Sequence, residues 1–291
     1  MNVERNCVRM ALFLMIVLPL TAANSQEPRE TLERVAKSGE FRIGYRTDAS
    51  PLSYENADGE PSGYSVDLCR RIATAVKNHL GIDKFDVRYV PIASDDRIDA
   101  VASGKVDIEC GSTTVSLSRL ERVDFTLTTF ITGGSILSLA GGGISTLSDL
   151  SGRKVGVVKG TTTVAQLRGH LEKNLIDAKV VELASREIAM NQLDSGKIDA
   201  FASDQIVLIG QIIESVNPRR YSLSEELFSF EPYALMVRRS DPDFRLVANR
   251  ALVQLYGSGQ HIPIYNKWIG RIGINPSPML IAMYQMNTLP D

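Results

Sequence analysis

The sequence predicts an α/β fold built from two similar lobes. Short apolar strands alternate with helices of roughly 10 to 15 residues, a pattern typical of sheets whose strands are mostly parallel. A strand–helix–strand unit occurs twice along the chain. The length of 291 residues allows two cores, since a domain takes roughly 150 residues.

The elements follow one another at short intervals. A first strand is predicted at residues 41–45, and apolar spacing predicts a helix from residue 63 to about 79. Two further strands are predicted at residues 87–90 and 106–108. The same alternation restarts at residue 153 and continues to about 203. Largely parallel sheets with flanking helices follow from this order.

The repeated unit consists of a serine, a helix and a Ser-Gly-Lys turn that leads into a strand. In the first copy, Ser94 is expected to cap a helix that ends at Ser103-Gly104. In the second copy, Ser185 and Ser195-Gly196 stand in the same places. The offset is 91 residues at the first serines and 92 at the glycines, so one residue is inserted. Chance similarity of two such units is the alternative interpretation.

Polar residues follow the last strand of each repeated unit. Gly111-Ser112-Thr113-Thr114 follows the first, and Ser203-Asp204 ends the second. In open α/β sheets, ligands collect beyond the carboxyl ends of the strands. Hydroxyl groups on one lobe would therefore face a carboxylate on the other, and together they could bind an ammonium group between the lobes.

Composition excludes several classes of protein. Lys and Arg number 32 against 34 Asp and Glu, a formal net charge of −2, which argues against a surface that grips nucleic acid throughout. His79, His170 and His261 show no metal-ligand spacing, and Gly141-Gly142-Gly143 lacks the Lys-Ser/Thr of a phosphate loop. We therefore expect no metal site, no cofactor and no nucleic-acid partner.

The N-terminus has the pattern of a secretory signal. Arg5 and Arg9 precede an apolar stretch from Met10 to Leu20, and small residues follow up to Ser25. A single anchoring helix is the alternative, although eleven residues are short for a membrane span. We expect residues 1–25 to be removed and the mature chain to reside in the periplasm.

Two cysteines remain after this cleavage, Cys69 and Cys110. An oxidising compartment permits a disulfide bond between them, but two separate buried thiols fit the sequence equally well. Near the C-terminus, Pro276, Pro278 and Pro290 predict an extended tail along the first lobe. Trp268 is predicted to anchor an amphipathic helix in the core.

Several segments in a fixed order carry a resemblance to a known family. The chain resembles the periplasmic solute-binding proteins for polar amino acids that feed ABC importers, and within them the glutamate/aspartate-binding branch. The similarity covers roughly residues 30–270. The segments that carry it are Gly44-Tyr45-Arg46, Asp58 to Leu68, Ser94 to Arg97, Glu109 to Thr114, Arg119, Gly160-Thr161-Thr162, Asp199 to Asp204 and Tyr265 to Trp268.

The resemblance implies a type II periplasmic binding protein fold, with two parallel-rich sheets joined by a two-strand hinge. The crossings would lie near residues 130–138 and 231–237, where Gly133-Gly134 either eases the hinge or forms a plain bend. Lobe 1 would comprise residues 26–132 plus 233–291, and lobe 2 residues 133–232. Relatives carry a cysteine near residues 233–236 that could pair with Cys110, and this chain has none there.

The resemblance also implies how the backbone of an amino-acid ligand is bound. Arg119 would bind the α-carboxylate through its planar fork, with Thr114 and Thr161 as further donors. Asp204 and Ser112 would hold the α-ammonium group. The alternatives are that Arg119 is a surface residue paired with Glu121, and that Asp204 is the N-cap of a helix.

The side chain of the ligand would be recognised by Arg46, Ser94 and Arg97. Two arginines near one group make a neutral or cationic ligand side chain costly, so the pocket should prefer L-glutamate or L-aspartate. Arg186 aligns where relatives carry a histidine, and a third arginine would strengthen this preference or admit a doubly charged ligand. For Arg46 and Arg97, the alternative is a solvated surface charge.

A binding protein without catalytic residues is the favoured interpretation. It would act as a monomer, bind an acidic amino acid, and deliver it to the membrane permease of an ABC importer. The enzymatic alternative is a secreted dehydratase acting on prephenate or arogenate, for which Glu109 is the available carboxylate. A sensor domain is disfavoured, since we expect no membrane span or catalytic module after residue 270.

Overall fold

The structure, a computed structural model, describes residues 30–290. The predicted signal segment, residues 1–25, lies outside the described residues. The first half of the chain forms α1 Thr31–Ser38, β1 Glu40–Tyr45, β2 Asp48–Ala49, β3 Ser53–Glu55, β4 Pro61–Ser62, α2 Tyr64–Leu80, β5 Asp86–Pro91, α3 Arg97–Ala102, β6 Ile108–Glu109, α4 Leu117–Leu120, β7 Val123–Thr132 and β8 Gly134–Leu139.

The second half begins with another strand–helix alternation. Its elements are β9 Lys154–Val158, α5 Thr162–Lys173, β10 Lys179–Leu183, α6 Arg186–Asp194, β11 Ala200–Asp204, α7 Gln205–Glu214, β12 Tyr221–Leu223, β13 Glu231–Arg238, α8 Pro242–Gly257, α9 His261–Trp268 and α10 Pro278–Met286. Short 3-10 turns lie at Ser148–Leu150, Pro218–Arg220 and Gly270–Ile272.

Two five-stranded sheets have matching topology. The first has the order β5-β1-β6-β13-β7 and the second β10-β9-β11-β8-β12. In each sheet, the first three strands are parallel to one another, and the fourth, β13 or β8, runs antiparallel to the strands on both sides of it. The repeated units end in β6 and β11, which occupy the same central place, so the predicted repeat is confirmed. A small third sheet of β2, β3 and β4 lies between β1 and α2 in the chain.

The chain passes between the two sheets at two closely packed points. It crosses from β7 to β8 at Gly133 and returns through the segment between β12 and β13. A Cβ at Gly133 would lie 2.5 Å from the Ser229 carbonyl oxygen, and one at Gly134 would lie 2.5 Å from the Phe228 ring. The glycines therefore let the two crossing segments lie side by side. The lobe boundaries at 132/133 and 232/233 remain a prediction.

A disulfide bond joins Cys69 on α2 to Cys110 at the end of β6. The sequence left this pairing open. Both residues are fully buried in the larger hydrophobic core, which forms between the first sheet and helices α2, α8, α9 and α10. The bond therefore fixes the segment that immediately precedes Gly111 and Ser112. Trp268 is buried in the same core, as predicted.

Two local predictions were wrong. Ser94 does not cap α3, because the helix begins at Arg97 with Asp96 at its N-cap and the Ser94 hydroxyl has no hydrogen-bond partner. The C-terminal tail is not extended over its whole length. Ser277 caps α10 by accepting from the Leu280 amide, and Pro278 fits the first helical position, where no amide is needed.

Over residues 30–290, no helix combines the length and the apolar character that a bilayer crossing requires.

Candidate functional site

The candidate binding residues converge where strands of the two sheets end. Arg46 directly follows β1, and Arg97 begins the helix after β5. Ser112 lies just beyond β6, while Arg186 begins α6 after β10 and Asp204 ends β11. The carboxyl ends of strands in the first sheet face those of strands in the second sheet. Residues far apart in the sequence therefore meet in the cleft between the two sheets.

All four candidate arginines are buried. Arg46, Arg97, Arg119 and Arg186 are only 2%, 2%, 7% and 1% exposed. The alternatives that Arg46 and Arg97 are solvated surface charges, and that Arg119 is a surface residue, are therefore wrong. Buried guanidinium groups need acceptors or opposite charges nearby, and these partners define the site.

Arg46 and Arg186 meet at a carboxylate that the sequence analysis missed. Asp48 Oδ1 accepts from Arg46 Nη2 at 2.6 Å and from Arg186 Nη1 at 3.0 Å. The two arginines belong to different sheets, so Asp48 joins the two sides of the cleft. Burial opposes the ionisation of Asp48, but Arg186 and Arg46 outweigh it and hold its pKa below the ordinary value.

Arg97 and Arg119 meet at a carbonyl group on the opposite side of the cleft. Arg97 Nη2 donates to the Gly160 carbonyl at 3.2 Å and Arg119 Nη2 donates to the same oxygen at 3.4 Å. Arg119 Nη1 also donates to the Thr114 carbonyl at 2.6 Å. An ion pair of 2.5 Å between Lys159 and Asp95 lies beside these contacts. The two sides of the cleft are thus in direct contact.

Asp204 lies buried among the same groups. The Tyr233 hydroxyl donates to Asp204 Oδ2, whereas Oδ1 has no partner within the protein. Asp204 occupies the N-cap position of α7, but its side chain does not accept from the helix amides. Burial and the nearby Glu231 raise the pKa of Asp204 to about 6.

Three hydroxyl groups converge on Glu231, which the sequence analysis also missed. Its carboxylate accepts from Thr114 Oγ1 at 2.5 Å, from Thr162 Oγ1 at 2.8 Å and from Ser229 Oγ at 2.6 Å. The Thr161 hydroxyl donates to the Val158 carbonyl at 2.7 Å. The hydroxyl groups of Thr114 and Thr161 therefore already donate to acceptors within the protein. The groups of these two residues that can still donate to a ligand are their backbone N–H groups.

Glu109 is a fully buried carboxyl group next to the arginines. Thr113 Oγ1 donates to its Oε2 at 2.9 Å, and its Oε1 has no partner within the protein. Burial raises the pKa of Glu109, against the opposing effect of Arg97 and Arg46. A Cβ at Gly111 would lie 2.0 Å from Glu109 Oε1, so a glycine is needed here to let the carboxyl group reach the cleft.

The polar atoms that lack protein partners concentrate in this cleft. Over residues 30–290, eleven buried side-chain nitrogen and oxygen atoms have no hydrogen-bond partner, and nine of them belong to cleft residues. Buried polar groups are normally paired, so a cluster of exceptions points to a polar ligand. The nine are Arg46 Nε and Nη1, Ser94 Oγ, Arg97 Nε and Nη1, Glu109 Oε1, Ser112 Oγ, Arg186 Nε and Asp204 Oδ1.

The electrostatics of the cleft favour an anion. Burial, followed by the neighbouring Arg186, lowers the pKa of Arg46 to about 9. Burial, followed by Arg119, lowers the pKa of Arg97 to about 10. Both values exceed neutral pH, so both side chains stay charged and would gain from a bound carboxylate. Within residues 30–290, no cluster of three His, Cys, Asp or Glu side chains is placed to hold a metal ion.

Comparison with known proteins identifies the family. The family model described as bacterial extracellular solute-binding proteins, family 3, matches residues 41–271. This chain belongs to that family. The match includes both sheets and all nine candidate site residues, so the resemblance noted in the sequence is confirmed.

Two curated relatives are similar over most of their length. The L-glutamate/L-aspartate-binding protein of Pseudomonas aeruginosa is 34% identical over 239 residues, covering 82% of this chain and 79% of the relative. The glutamate/aspartate import solute-binding protein of Salmonella typhimurium is 32% identical over 248 residues, with 85% and 81% covered.

A solved structure supports the fold. An ancestral arginine-binding protein bound to glutamine superimposes with a TM-score of 0.71 at 30% identity, covering 80% of this chain and 98% of that one. The predicted type II periplasmic binding protein fold is therefore confirmed. Since that relative carries glutamine, the fold alone does not determine which solute this family member binds.

Proposed function

We propose that this chain captures an acidic amino acid, L-glutamate or L-aspartate, between its two lobes and delivers it to the permease of an ABC importer. The nine unpartnered polar atoms of the cleft carry the proposal. Most are arginine N–H groups, which suit carboxylates, and one is a carboxylate oxygen of Asp204, which suits an ammonium group. The names of the two curated relatives support the same ligand class.

The ligand would bridge the two sides of the cleft. Arg119 and backbone N–H groups near Thr114 and Thr161 would bind the α-carboxylate, and Asp204 with Ser112 would bind the α-ammonium. The unpartnered atoms of Arg46, Ser94 and Arg97 would receive the side-chain carboxylate. Because both sides contribute donors, the ligand would stabilise the closed arrangement and shift the population towards it.

The family and the N-terminal pattern support a proposed place of action outside the cytoplasmic membrane. Family members are extracellular solute-binding proteins by description, and residues 1–25 carry the features of a secretory signal. We propose that the mature chain acts in the periplasm as a monomer, where its closed form would present both lobes to the membrane permease.

Thermal unfolding of the ligand-stripped mature protein against a panel of amino acids tests the proposal. Ligand that binds only the folded protein adds about 2.7 kcal/mol of stability at 100 times its Kd. We expect the largest shifts with L-glutamate and L-aspartate. Arg97→Ala should weaken this binding roughly 100-fold, since it removes charged donors from a buried site.

Arg88→Ala is the matched control, because Arg88 belongs to the same sheet but its side chain is 67% exposed. It should leave the shifts unchanged. The proposed ligand class would be overturned if a neutral or cationic amino acid raised the unfolding temperature and neither L-glutamate nor L-aspartate did.

A second candidate function rests on Glu109. A buried carboxyl group with a raised pKa and a free Oε1 could protonate a leaving hydroxyl group, as a dehydratase of prephenate or arogenate requires. Incubation with each substrate and detection of the aromatic product tests this candidate. Turnover that Glu109→Gln abolishes would establish it, and no turnover would leave Glu109 as a counter-charge for the arginines.

A further inference from the structure

We propose that Asp48 is a positioning residue that sets the ligand specificity of the cleft, because it neutralises Arg186 and keeps the side-chain end suited to a single negative charge. Asp48 has this role only if the site binds an acidic amino acid, as proposed above. Neither the sequence resemblance nor the relatives assign Asp48 a role.

The contacts of Asp48 are unusual for a residue at the rim of a cleft. Its side chain is 20% exposed, yet one oxygen accepts from two buried guanidinium groups, those of Arg46 and Arg186. Its backbone carbonyl also accepts from Gln211 Nε2 at 3.3 Å on α7. Asp48 is thus fixed in place from both sides of the cleft.

Asp48 lowers the net positive charge at the end of the site that is proposed to bind the ligand side chain. Arg46, Arg97 and Arg186 bring three positive charges together: after burial, Arg186 and Arg97 lower the pKa of Arg46, and Arg186 also lowers the pKa of Arg97. Asp48 contributes one negative charge and occupies Nη1 of Arg186 and Nη2 of Arg46. Glu109 is a second carboxyl group that acts on Arg46 and Arg97. The donors that remain include Nε and Nη1 of both Arg46 and Arg97, an arrangement suited to one further carboxylate.

Removing the charge of Asp48 would therefore alter the preferred ligand charge. In Asp48→Asn, Arg186 would keep its buried position but lose its counter-charge. A ligand with a doubly charged side chain would then supply the missing charge, whereas a ligand with one carboxylate would not. O-phospho-L-serine is a suitable probe, because its phosphate carries a charge of about −1.5 to −2 at neutral pH.

Calorimetric titration of the same preparation with L-glutamate and O-phospho-L-serine tests the role of Asp48. We expect the wild type to prefer L-glutamate, and Asp48→Asn to shift the ratio of the two affinities towards O-phospho-L-serine by at least about tenfold. Because the ratio comes from one preparation, partial misfolding would affect both ligands equally and leave the ratio unchanged.

Two further variants separate charge from structure. Glu187→Gln is the matched control, because Glu187 lines the same inter-lobe cavity of about 820 Å³ as Asp48, whereas among the described residues it forms no salt bridge like the two that Asp48 makes with Arg46 and Arg186. Its ratio should equal that of the wild type. Adding Arg186→Gln to Asp48→Asn should restore the preference for L-glutamate, since it removes the surplus positive charge.

An unchanged ratio in Asp48→Asn would overturn the role of Asp48 while leaving the proposed function intact. Failure of the double variant to restore the ratio would overturn it as well, since the shift would then not act through Arg186. If the wild type binds neither ligand but binds a neutral or cationic amino acid, the proposed function fails and the role of Asp48 fails with it.

Discussion

Asp204 is buried, which favours its protonated form, but its proposed role requires the ionised form. Its carboxylate is held in a buried place where its pKa is about 6, yet binding an ammonium group requires the ionised form. Glu231 raises this pKa, whereas Tyr233, Arg186 and Arg97 lower it. The balance of these effects places the pKa of Asp204 at about 6, well above the ordinary value of an aspartate.

This position predicts a pH-dependent affinity. Above pH 6 Asp204 is ionised and binding is strong, and as the pH falls through 6 the carboxylate takes up a proton and loses its attraction for the ammonium group. We expect the affinity for L-glutamate to fall about tenfold between pH 7.5 and pH 5, measured by calorimetry. Asp204→Asn should bind weakly with a flat profile over this range. A wild-type affinity that stays constant or rises towards pH 5 would contradict the role of Asp204.

The residues of the site were unequally predictable from the sequence. Four predicted residues lie buried in one cleft: Arg46, Arg97, Arg186 and Asp204. Their place was predictable because each lies at the carboxyl end of a strand or at the start of the helix that follows it. Asp48 had no comparable signal: it lies in a two-residue strand, and only the three-dimensional meeting of Arg46 with Arg186 reveals it.

At the scale of elements, the disulfide bond is the least predictable feature. Cys69 lies in the middle of α2 and Cys110 after the two-residue strand β6, so no local pattern relates them. The bond closes a loop with a sequence separation of 41 residues. Because Cys110 directly precedes Gly111 and Ser112, the disulfide bond connects α2 to the segment that contains the candidate site residue Ser112.

Removal of this bond should destabilise the protein measurably. Loop-closure entropy for a separation of 41 residues corresponds to about 4 kcal/mol at 25 °C, an upper value because the reduced unfolded chain retains structure. We expect the double variant Cys69→Ala and Cys110→Ala to unfold at a lower temperature than the wild type, by several degrees. Reductant should lower the unfolding temperature of the wild type but not that of the variant. Equal unfolding temperatures for oxidised wild type and variant would contradict a stabilising bond.

The helices also show where sequence patterns fail. The start of α3 was misplaced because Ser94 is a good N-cap residue by type, but in the structure residues 94–96 form a turn and the helix begins only after Asp96. The three prolines near the C-terminus suggested an extended chain, whereas Pro278 in fact begins α10. Proline is compatible with a first helical turn, so its presence alone does not exclude a helix.

At the scale of the whole molecule, α7 closely approaches the segment before Leu52 from the other side of the cleft. A Cβ at Gly210 on α7 would lie 2.0 Å from the Ser50 carbonyl oxygen. Only glycine therefore permits this contact. Alanine there would favour the isolated helix but would push the two sides of the cleft apart.

Gly210→Ala should weaken ligand binding without unfolding the protein. We expect at least a tenfold loss of affinity for L-glutamate, together with a smaller ligand-induced decrease in the radius of gyration measured by X-ray scattering. Gly169→Ala on α5 is the matched control, because a Cβ at Gly169 meets no atom within 4 Å. Equal affinities for the two variants would show that this contact plays no part in closure.

The proposed function requires that the cleft recognise a negative charge on the ligand side chain. L-glutamine has nearly the shape of L-glutamate but lacks that charge. Calorimetric titration of the ligand-free wild type with both amino acids at pH 7.5 therefore measures the contribution of the side-chain charge to the affinity. Since leaving buried charges unpaired costs about 3 to 5 kcal/mol, we predict that L-glutamate binds at least about 100-fold more tightly. Equal affinities, or tighter binding of L-glutamine, would contradict the proposed function.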